Sequence, residues 1–401
     1  MKSDSLPLLN AAARQAAEPH GLPLLRLGFR PFYLCAALLA ALAIPVWVAL
    51  FLGQLRWQPA PPPVLWHAHE MLFGFAAAVI VGFLLTAGKA WTGLGTPRGA
   101  ALGALVALWL AARLASVAAP YPVYALLDLL LLPLVAAILL NLLLRAGNRR
   151  NLPLVLMLAL LSGANAVFHL AVAGLLDVAP VRPLYAGLAL IVLIECVMAG
   201  RVIPGFTMSA TPGLKLKASP ALERLTMAVT LLGLALWVGA GSGAPTASAL
   251  ALAAALHFHR QWQWRPLLTR QRPILWILHA SYAWIPLGFA LLALAAAGWL
   301  PLSAGVHALG VGATGGLVIG MITRTARGHT GRRLQVSRPE VAAYGLVMLA
   351  AALRVLLPLV SADLLVVALV SAALAWTAAF IIYLVIYTPW LLQTRQDGRD
   401  G

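Results

Sequence analysis

A succession of apolar runs, each about 20 residues long and bounded by Gly, Pro, Arg or Trp, constrains this chain more than any other feature. The runs fall near 28–53, 66–90, 99–118, 121–145, 152–176, 182–203, 222–241, 245–260, 272–298, 303–325, 340–360 and 363–390. At about 1.5 Å rise per residue, a run of this length crosses roughly 30 Å of hydrocarbon as a helix. Alternating ten-residue segments, the mark of a membrane β-barrel, are not the pattern here. With 62 % hydrophobic and only 10 % charged residues, the chain has too little polar material to cover a soluble globule. The prediction is an all-α polytopic membrane bundle of about 12 transmembrane helices. The eighth run is the weakest, because it is short and ends in His257, His259, Arg260 and Gln261. Residues 26–392 form one expected transmembrane domain, flanked by an N-terminal segment 1–25 and a tail 393–401. The first 25 residues are polar and Pro-punctuated, so the first span is the expected insertion signal rather than a cleaved leader.

The formal charge of +17 is placed on one side of this map. Lys and Arg cluster in the N-terminal segment, in the loops after even-numbered spans (Lys89 and Arg98; Arg145, Arg149 and Arg150; Lys215 and Lys217; Arg265 and Arg270; Arg327 to Arg338) and at the C-terminus. Of the 28 basic residues, only Arg56, Arg113, Arg182 and Arg354 fall on the other side. By the positive-inside rule both termini are expected in the cytoplasm, which an even number of spans requires. The charge reports topology and gives no reason to expect a nucleic-acid partner. The two cysteines, Cys35 and Cys196, form no CxxC pair, so neither a thiolate zinc site nor covalent c-type haem is expected.

Spans two and ten match at a constant offset: His69 with His307, Gly74 with Gly312, Ala78 with Gly316, Gly82 with Gly320, and Thr92-Gly93 with Thr330-Gly331. Small residues at i, i+4 and i+8 let a neighbouring helix approach closely. An internal repeat of four-helix units in parallel orientation is the expectation.

Ionisable groups within lipid cost about 2.5–3.5 kcal/mol on insertion scales and mark functional sites. The unusual type here is histidine. His67, His69, His169 and His307 lie in the outer half, and His257, His259, His279 and His329 in the inner half. A neutral imidazole binds haem iron, copper or zinc, and a bundle can bring several to one point. Across about 30 Å the two sets cannot share a coordination sphere, so two metal regions are expected. His69 and His307 are the favoured pair for one of them, with His169 next. His67 and His69 are about 200° apart on a helix and cannot face one site. Glu70 is placed to orient His67, and Asn165 to orient His169. Glu195 is either a proton relay or a hydrogen-bonded neutral acid. Met321 and Arg324 share a helix face that suits a thioether ligand and an anion clamp. Anionic lipid headgroups and topology account for most of the basic residues.

Five motifs together give the chain a resemblance to the NnrS family of bacterial membrane proteins. They are Trp66-His67-Ala68-His69-Glu70-Met71 with Gly74-Phe75; Gly163-Ala164-Asn165 with His169; Gly200-Arg201 with Ile203-Pro204; Pro273 to Pro286 enclosing His279 and Trp284; and His307-Ala308-Leu309 leading to Met321-Ile322-Thr323-Arg324 and Gly328-His329-Thr330-Gly331-Arg332. The resemblance implies a haem- and copper-containing inner-membrane protein linked to nitric oxide and nitrosative-stress resistance. It makes His67, His69, His169, His279, His307 and His329 the candidate metal ligands, with Arg201, Arg324 and Arg332 as candidate partners of haem propionates. Haem b is implied because no covalent attachment motif exists. The resemblance does not distinguish turnover of nitric oxide from sensing or sequestration. A secondary transporter without metals also suits twelve spans, but would carry more acidic coupling residues than Asp128 and Glu195. A haem-copper oxidase subunit would carry a two-histidine pair on one late helix, a spacing not found here.

Overall fold

The computed structural model describes residues 21–217 and 219–399. Most of the N-terminal segment 1–25 therefore lies outside the described residues. Twelve long helices follow one another: α1 (Phe29–Phe51), α2 (Pro63–Thr92), α3 (Ala100–Ala118), α4 (Tyr121–Arg145), α5 (Leu152–Val172), α6 (Val181–Ala210), α7 (Pro220–Gly239), α8 (Ala244–Gln263), α9 (Pro273–Ala296), α10 (Leu302–His329), α11 (Arg338–Val360) and α12 (Leu365–Leu392). The all-α membrane architecture is as the apolar runs require. Eleven helices are long and apolar enough to cross a bilayer; α8 falls short. Its physical reason is the polar C-terminal half, where His257, Arg260 and Gln261 are buried against neighbouring helices instead of being replaced by apolar residues.

Local chemistry sets the helix ends. Proline occupies the first turn of α2, α7 and α9, where its missing N–H costs nothing. Ser337 and Glu340 cap α11 reciprocally. After α2 the chain leaves through Gly93 at φ 69°, and after α10 through Gly331 at φ 78°, a left-handed turn that only glycine adopts without strain.

The helices form an inner group and an outer one. The apolar windows of α2 and α10 are 72 % buried, and those of α9 and α6 are 67 % and 56 %, against 28 % for α7. Peripheral helices expose leucines and valines such as Leu114, Leu156, Leu231 and Val385, the surface a bilayer covers. The small-residue stripes of α2 and α10 are where the inner helices meet their partners. A Cβ on Gly82 would lie 2.9 Å from Phe32 of α1, and one on Gly320 would lie 2.7 Å from Leu278 of α9.

Both ends of the described chain lie on one face of the bundle. Arg30, at the start of α1, donates to the carbonyls of Leu391 and Gln393 at 2.9 and 2.8 Å. The N–H of Gly99, in the loop after α2, donates to Leu25 O, and that of Gln396 to Thr330 O after α10.

A four-helix repeat is not confirmed, but α2 and α10 share one local departure. Each switches to π-helix directly after its matched histidine, over Glu70–Ala76 and Ala308–Gly315. Such i→i+5 segments loosen the turn and free backbone carbonyls. The Gly74 carbonyl accepts both from the Ala77 N–H and, at 3.2 Å, from the indole of Trp109.

Candidate metal centre

His69, the last α-helical residue before the π segment of α2, reaches α4 and α5 in a buried polar cluster. Along one face of α4 stand Tyr121, Tyr124 and Asp128 at i, i+3 and i+7; α5 adds Asn165 and His169, and α3 adds Arg113. His69 Nε2 faces Asp128 Oδ2 at 3.3 Å and Asn165 Oδ1 at 2.9 Å. His169 Nε2 faces the same Asp128 Oδ2 at 3.1 Å. One ligand atom from each of His69, Asp128 and His169 lies within 4.8 Å of the others, and all three residues are buried.

The far side of each imidazole is also held. His69 Nδ1 meets the Tyr124 hydroxyl at 2.8 Å, and His169 Nδ1 meets that of Tyr121 at 2.9 Å. The Tyr124 hydroxyl also lies 3.2 Å from Glu70 Oε1, and that of Tyr121 3.4 Å from the His169 carbonyl. Nε2 of each ring faces only accepting oxygens, so Nε2–H donates to Asn165 Oδ1 from His69 and to Asp128 Oδ2 from His169, and the Nδ1 atoms accept from the tyrosine hydroxyls. A metal at Nε2 would take the place of that proton, and the tyrosines, turned to Glu70 and to the His169 carbonyl, would then accept from Nδ1–H, as outer partners of metal-bound histidines do.

Arg113 ties the carboxylates together. Its Nη1 donates to both oxygens of Glu70 at 2.7 Å, and Nη2 pairs with Asp128 Oδ1. Asn165 donates to Asp128 Oδ2 at 2.6 Å. Two carboxylates against one guanidinium leave one net negative charge in a buried site when both imidazoles are neutral. A bound cation removes that cost. Glu70 and Arg113 also line a cavity of about 400 Å³ whose walls include Leu39, Trp57 and Trp66, toward the end of the bundle away from the chain's two ends.

These contacts revise several sequence expectations. Glu70 orients the cluster through Tyr124 and Arg113, because the π turn swings it away from His67. Asn165 serves His69 and Asp128 rather than its own-helix neighbour His169. His69 assembles with His169, and its offset partner His307 stands elsewhere, with His67. As the 200° separation required, His67 points away from His69, stacking on Trp47 of α1 with centroids 4.0 Å apart. His307 donates Nδ1–H to Ser303 O at 2.7 Å, which leaves its Nε2 lone pair free. Arg354 and His67 are its electrostatic neighbours. Among the described residues no carboxylate pairs with Arg354. Asp128, Arg113, Tyr121 and Tyr124 are not among the site residues the sequence suggests; the Tyr-Tyr-Asp stripe on α4 is the signal for three of them.

The inner histidines are not brought together. His279 Nε2 meets Thr207 at 3.0 Å, and its Nδ1 has no partner. His329 lies against the ring of Phe29. His257 joins Thr230 and Tyr282 at 2.8 and 2.6 Å. The three arginines considered for propionates are equally dispersed. Arg201 donates to Asn151, Arg324 stacks on Phe206, and Arg332 stacks on Trp390.

The whole-chain pattern decides the family. The NnrS protein family model matches residues 23–395. The chain belongs to the NnrS family. No curated protein matches it. In this NnrS member the family match covers all twelve helices, so the histidine cluster, the cavity beside it and the His67–His307 pair all belong to the matched region.

Proposed function

We propose that this NnrS protein is a bacterial inner-membrane protein that binds copper and haem b and acts in nitric oxide metabolism or nitrosative-stress resistance. The observation that carries the reading is the buried His69–Asp128–His169 group, with both Nδ1 atoms tied to tyrosines and one negative charge left over. Two imidazoles and a carboxylate suit copper, iron(II) or zinc; membership of the family favours copper. A metal would replace the Nε2 protons that now face Asn165 and Asp128, with the tyrosines on the far side still holding both rings.

For haem, His67 and His307 are the imidazoles that fit best. His67 Nδ1 is buried without a partner, and the Ser303 contact leaves His307 Nε2 available. The unpaired Arg354 guanidinium beside them suits a propionate. Haem iron and copper both coordinate nitric oxide, which supplies the family's link to that ligand. What the chain itself does is bind and orient: the tyrosines hold both imidazoles, Arg113 holds the carboxylates, and the cavity lined by Glu70 admits a small neutral molecule. A built histidine–carboxylate centre disfavours the metal-free transporter reading.

The test is purification in detergent with metal analysis and absorption spectra. About stoichiometric copper and a Soret band from acid-extractable haem are expected. His69→Ala and His169→Ala should each lose the copper and keep the Soret band; His67→Ala and His307→Ala should do the reverse. A preparation from haem- and copper-replete cells that carries neither group ends the proposal. Loss of one band in all four variants overturns the assignment of two sites.

A further inference from the structure

Near the chain's two ends, α3 is tied to the segment that leads into α1. The N–H of Gly99 donates to Leu25 O at 2.8 Å, and a Cβ on Gly103 would lie 3.5 Å from Leu25. Toward the other end of the bundle α1 and α3 part, and the cavity of about 400 Å³ occupies the cleft between them, with α2 behind. Leu39, Leu42, Ala43 and Val46 form its α1 side, and Ser116 and Val117 stand on α3. Leu42, midway along α1, is 56 % exposed, and Val117 is 52 % exposed. Both belong to helices apolar enough to cross a bilayer, so the medium they face is lipid. The cleft therefore opens sideways. Its end away from the chain termini is roofed by two indoles. Trp66 donates to Ser116 Oγ at 3.4 Å, which joins α2 to α3, and Trp57 meets Trp66 edge-on with centroids 5.3 Å apart.

On the side of the histidine cluster the wall is one side chain thick. A Cβ on Gly74 would lie 2.6 Å from Leu39 Cδ2 and 3.1 Å from both Arg113 Nη1 and Glu70 Oε2. Leu39 thus fills the hollow that the glycine leaves, and the Glu70–Arg113 pair lies next to it. Tyr124 and His69 follow directly. The exposed wall is almost wholly apolar. Both Glu70 oxygens accept from Arg113, and Ser116 Oγ accepts from Trp66 and donates to the Arg113 carbonyl. A guest in the cleft is offered no hydrogen bond, so an ion or a strongly hydrated molecule would lose its water uncompensated. An uncharged gas of two atoms loses almost nothing, and hydrocarbon dissolves such a gas better than water does. Apolar cavities stay dry and admit guests as weakly interacting as xenon.

We propose that this cleft is a lateral portal with Leu39 as its gate, through which an uncharged, lipid-soluble diatomic gas passes from the bilayer to the histidine cluster. Leu39 is partly exposed and is an alkyl chain without polar contacts, so a rotamer change on the ps–ns scale suffices to move it. That the gas is nitric oxide rests on the function proposed above; the capacity of the cleft to take a gas does not.

Two measurements test the portal. Crystals of the metal-free full chain under xenon pressure should show xenon against Leu39, Ala43 and Trp66, and Leu39→Trp, whose ring occupies that space, should lose it. A wild-type cleft without xenon overturns the portal whatever the metal content. In copper-loaded protein in lipid nanodiscs, carbon monoxide is photolysed from reduced copper and its second-order rebinding followed by infrared absorption. Leu39→Trp should slow rebinding by about tenfold or more, because opening an overpacked cleft becomes part of the barrier. Should that variant fail to fold, Leu42→Trp, which covers the mouth from an exposed position, takes its place in both measurements. Rebinding at the wild-type rate in a folded blocking variant overturns the portal. So does rebinding that is faster in Trp57→Ala and indifferent to the blocking variant, which shows entry from water through the roof. Xenon in the cleft of a chain that holds no copper supports the portal and ends the copper reading, so the two fail separately.

Discussion

Tyr124 and Arg113 act on the metal centre without being ligands, and their separate effects distinguish positioning from stability. Tyr124 holds His69 through Nδ1 and passes the contact to Glu70. Tyr124→Phe removes one hydroxyl and no ligand. Its expected effect is a loss of about 10- to 100-fold in copper affinity, the usual cost of an outer hydrogen bond to a metal-bound histidine, read by competition with a chelator. Arg113 is different in kind, because it neutralises two buried carboxylates at once. Arg113→Ala leaves Glu70 and Asp128 facing each other uncompensated. A loss of about 3–5 kcal/mol is expected, seen as a large fall in the detergent melting temperature even in metal-free protein. Should Arg113→Ala melt with the wild type, the cluster does not carry the charges assigned to it.

At the scale of the helix, the small residues of α2 and α10 are contact points with defined neighbours. Gly82 meets the β-carbon of Phe32 and the backbone of Phe29, and backbone cannot move aside as a flexible side chain can. Gly82→Ala should therefore cost about 1–3 kcal/mol by overpacking. Gly163 on α5 has nothing within 4 Å of its added β-carbon. Gly163→Ala should be neutral or stabilise by up to about 1 kcal/mol through helix propensity. The pair of melting curves checks whether α1 and α2 meet as described. The π segments belong to this scale too. They follow His69 and His307 directly, and by resetting which face each later side chain occupies they deliver Glu70 to Arg113.

At the scale of the molecule, the contacts of Arg30 with Leu391 and Gln393 put both ends of the described chain on one face of the bundle. The basic loops after α2 and α10 meet the same face. The proposal that this face is cytoplasmic rests on the one-sided placement of Lys and Arg. Reporter fusions after residues 98, 215 and 332 should read as cytoplasmic, and fusions near 56 and 300 as periplasmic. A reversed pattern at any two sites breaks the topology. α8 is the sensitive element, since it is the one long helix too polar to qualify as a span by composition. A fusion between α7 and α8 that reads as periplasmic, together with one between α8 and α9 that reads as cytoplasmic, shows that its buried partners carry α8 across regardless.

The apolar runs determined by themselves that the chain is an all-α membrane bundle and where its helices lie, and the motifs within them carried the likeness to NnrS that the family match over residues 23–395 shows. Lipid provides no hydrogen bonds, so every span must be helical and its length is written in hydropathy. The same runs identified histidine as the unusual residue, and helical geometry alone separated His67 from His69. Which histidines meet was decided only by the tertiary structure. Sequence offset paired His69 with His307, yet assembly depends on which helices become neighbours and on a π turn that shifts side-chain register, and neither is encoded in spacing along one helix. Asp128 and Tyr124 reach His69 from α4, and Arg113 reaches Glu70 from α3. The cleft between α1 and α3 is likewise a property of helices that fail to close, legible only once they are packed.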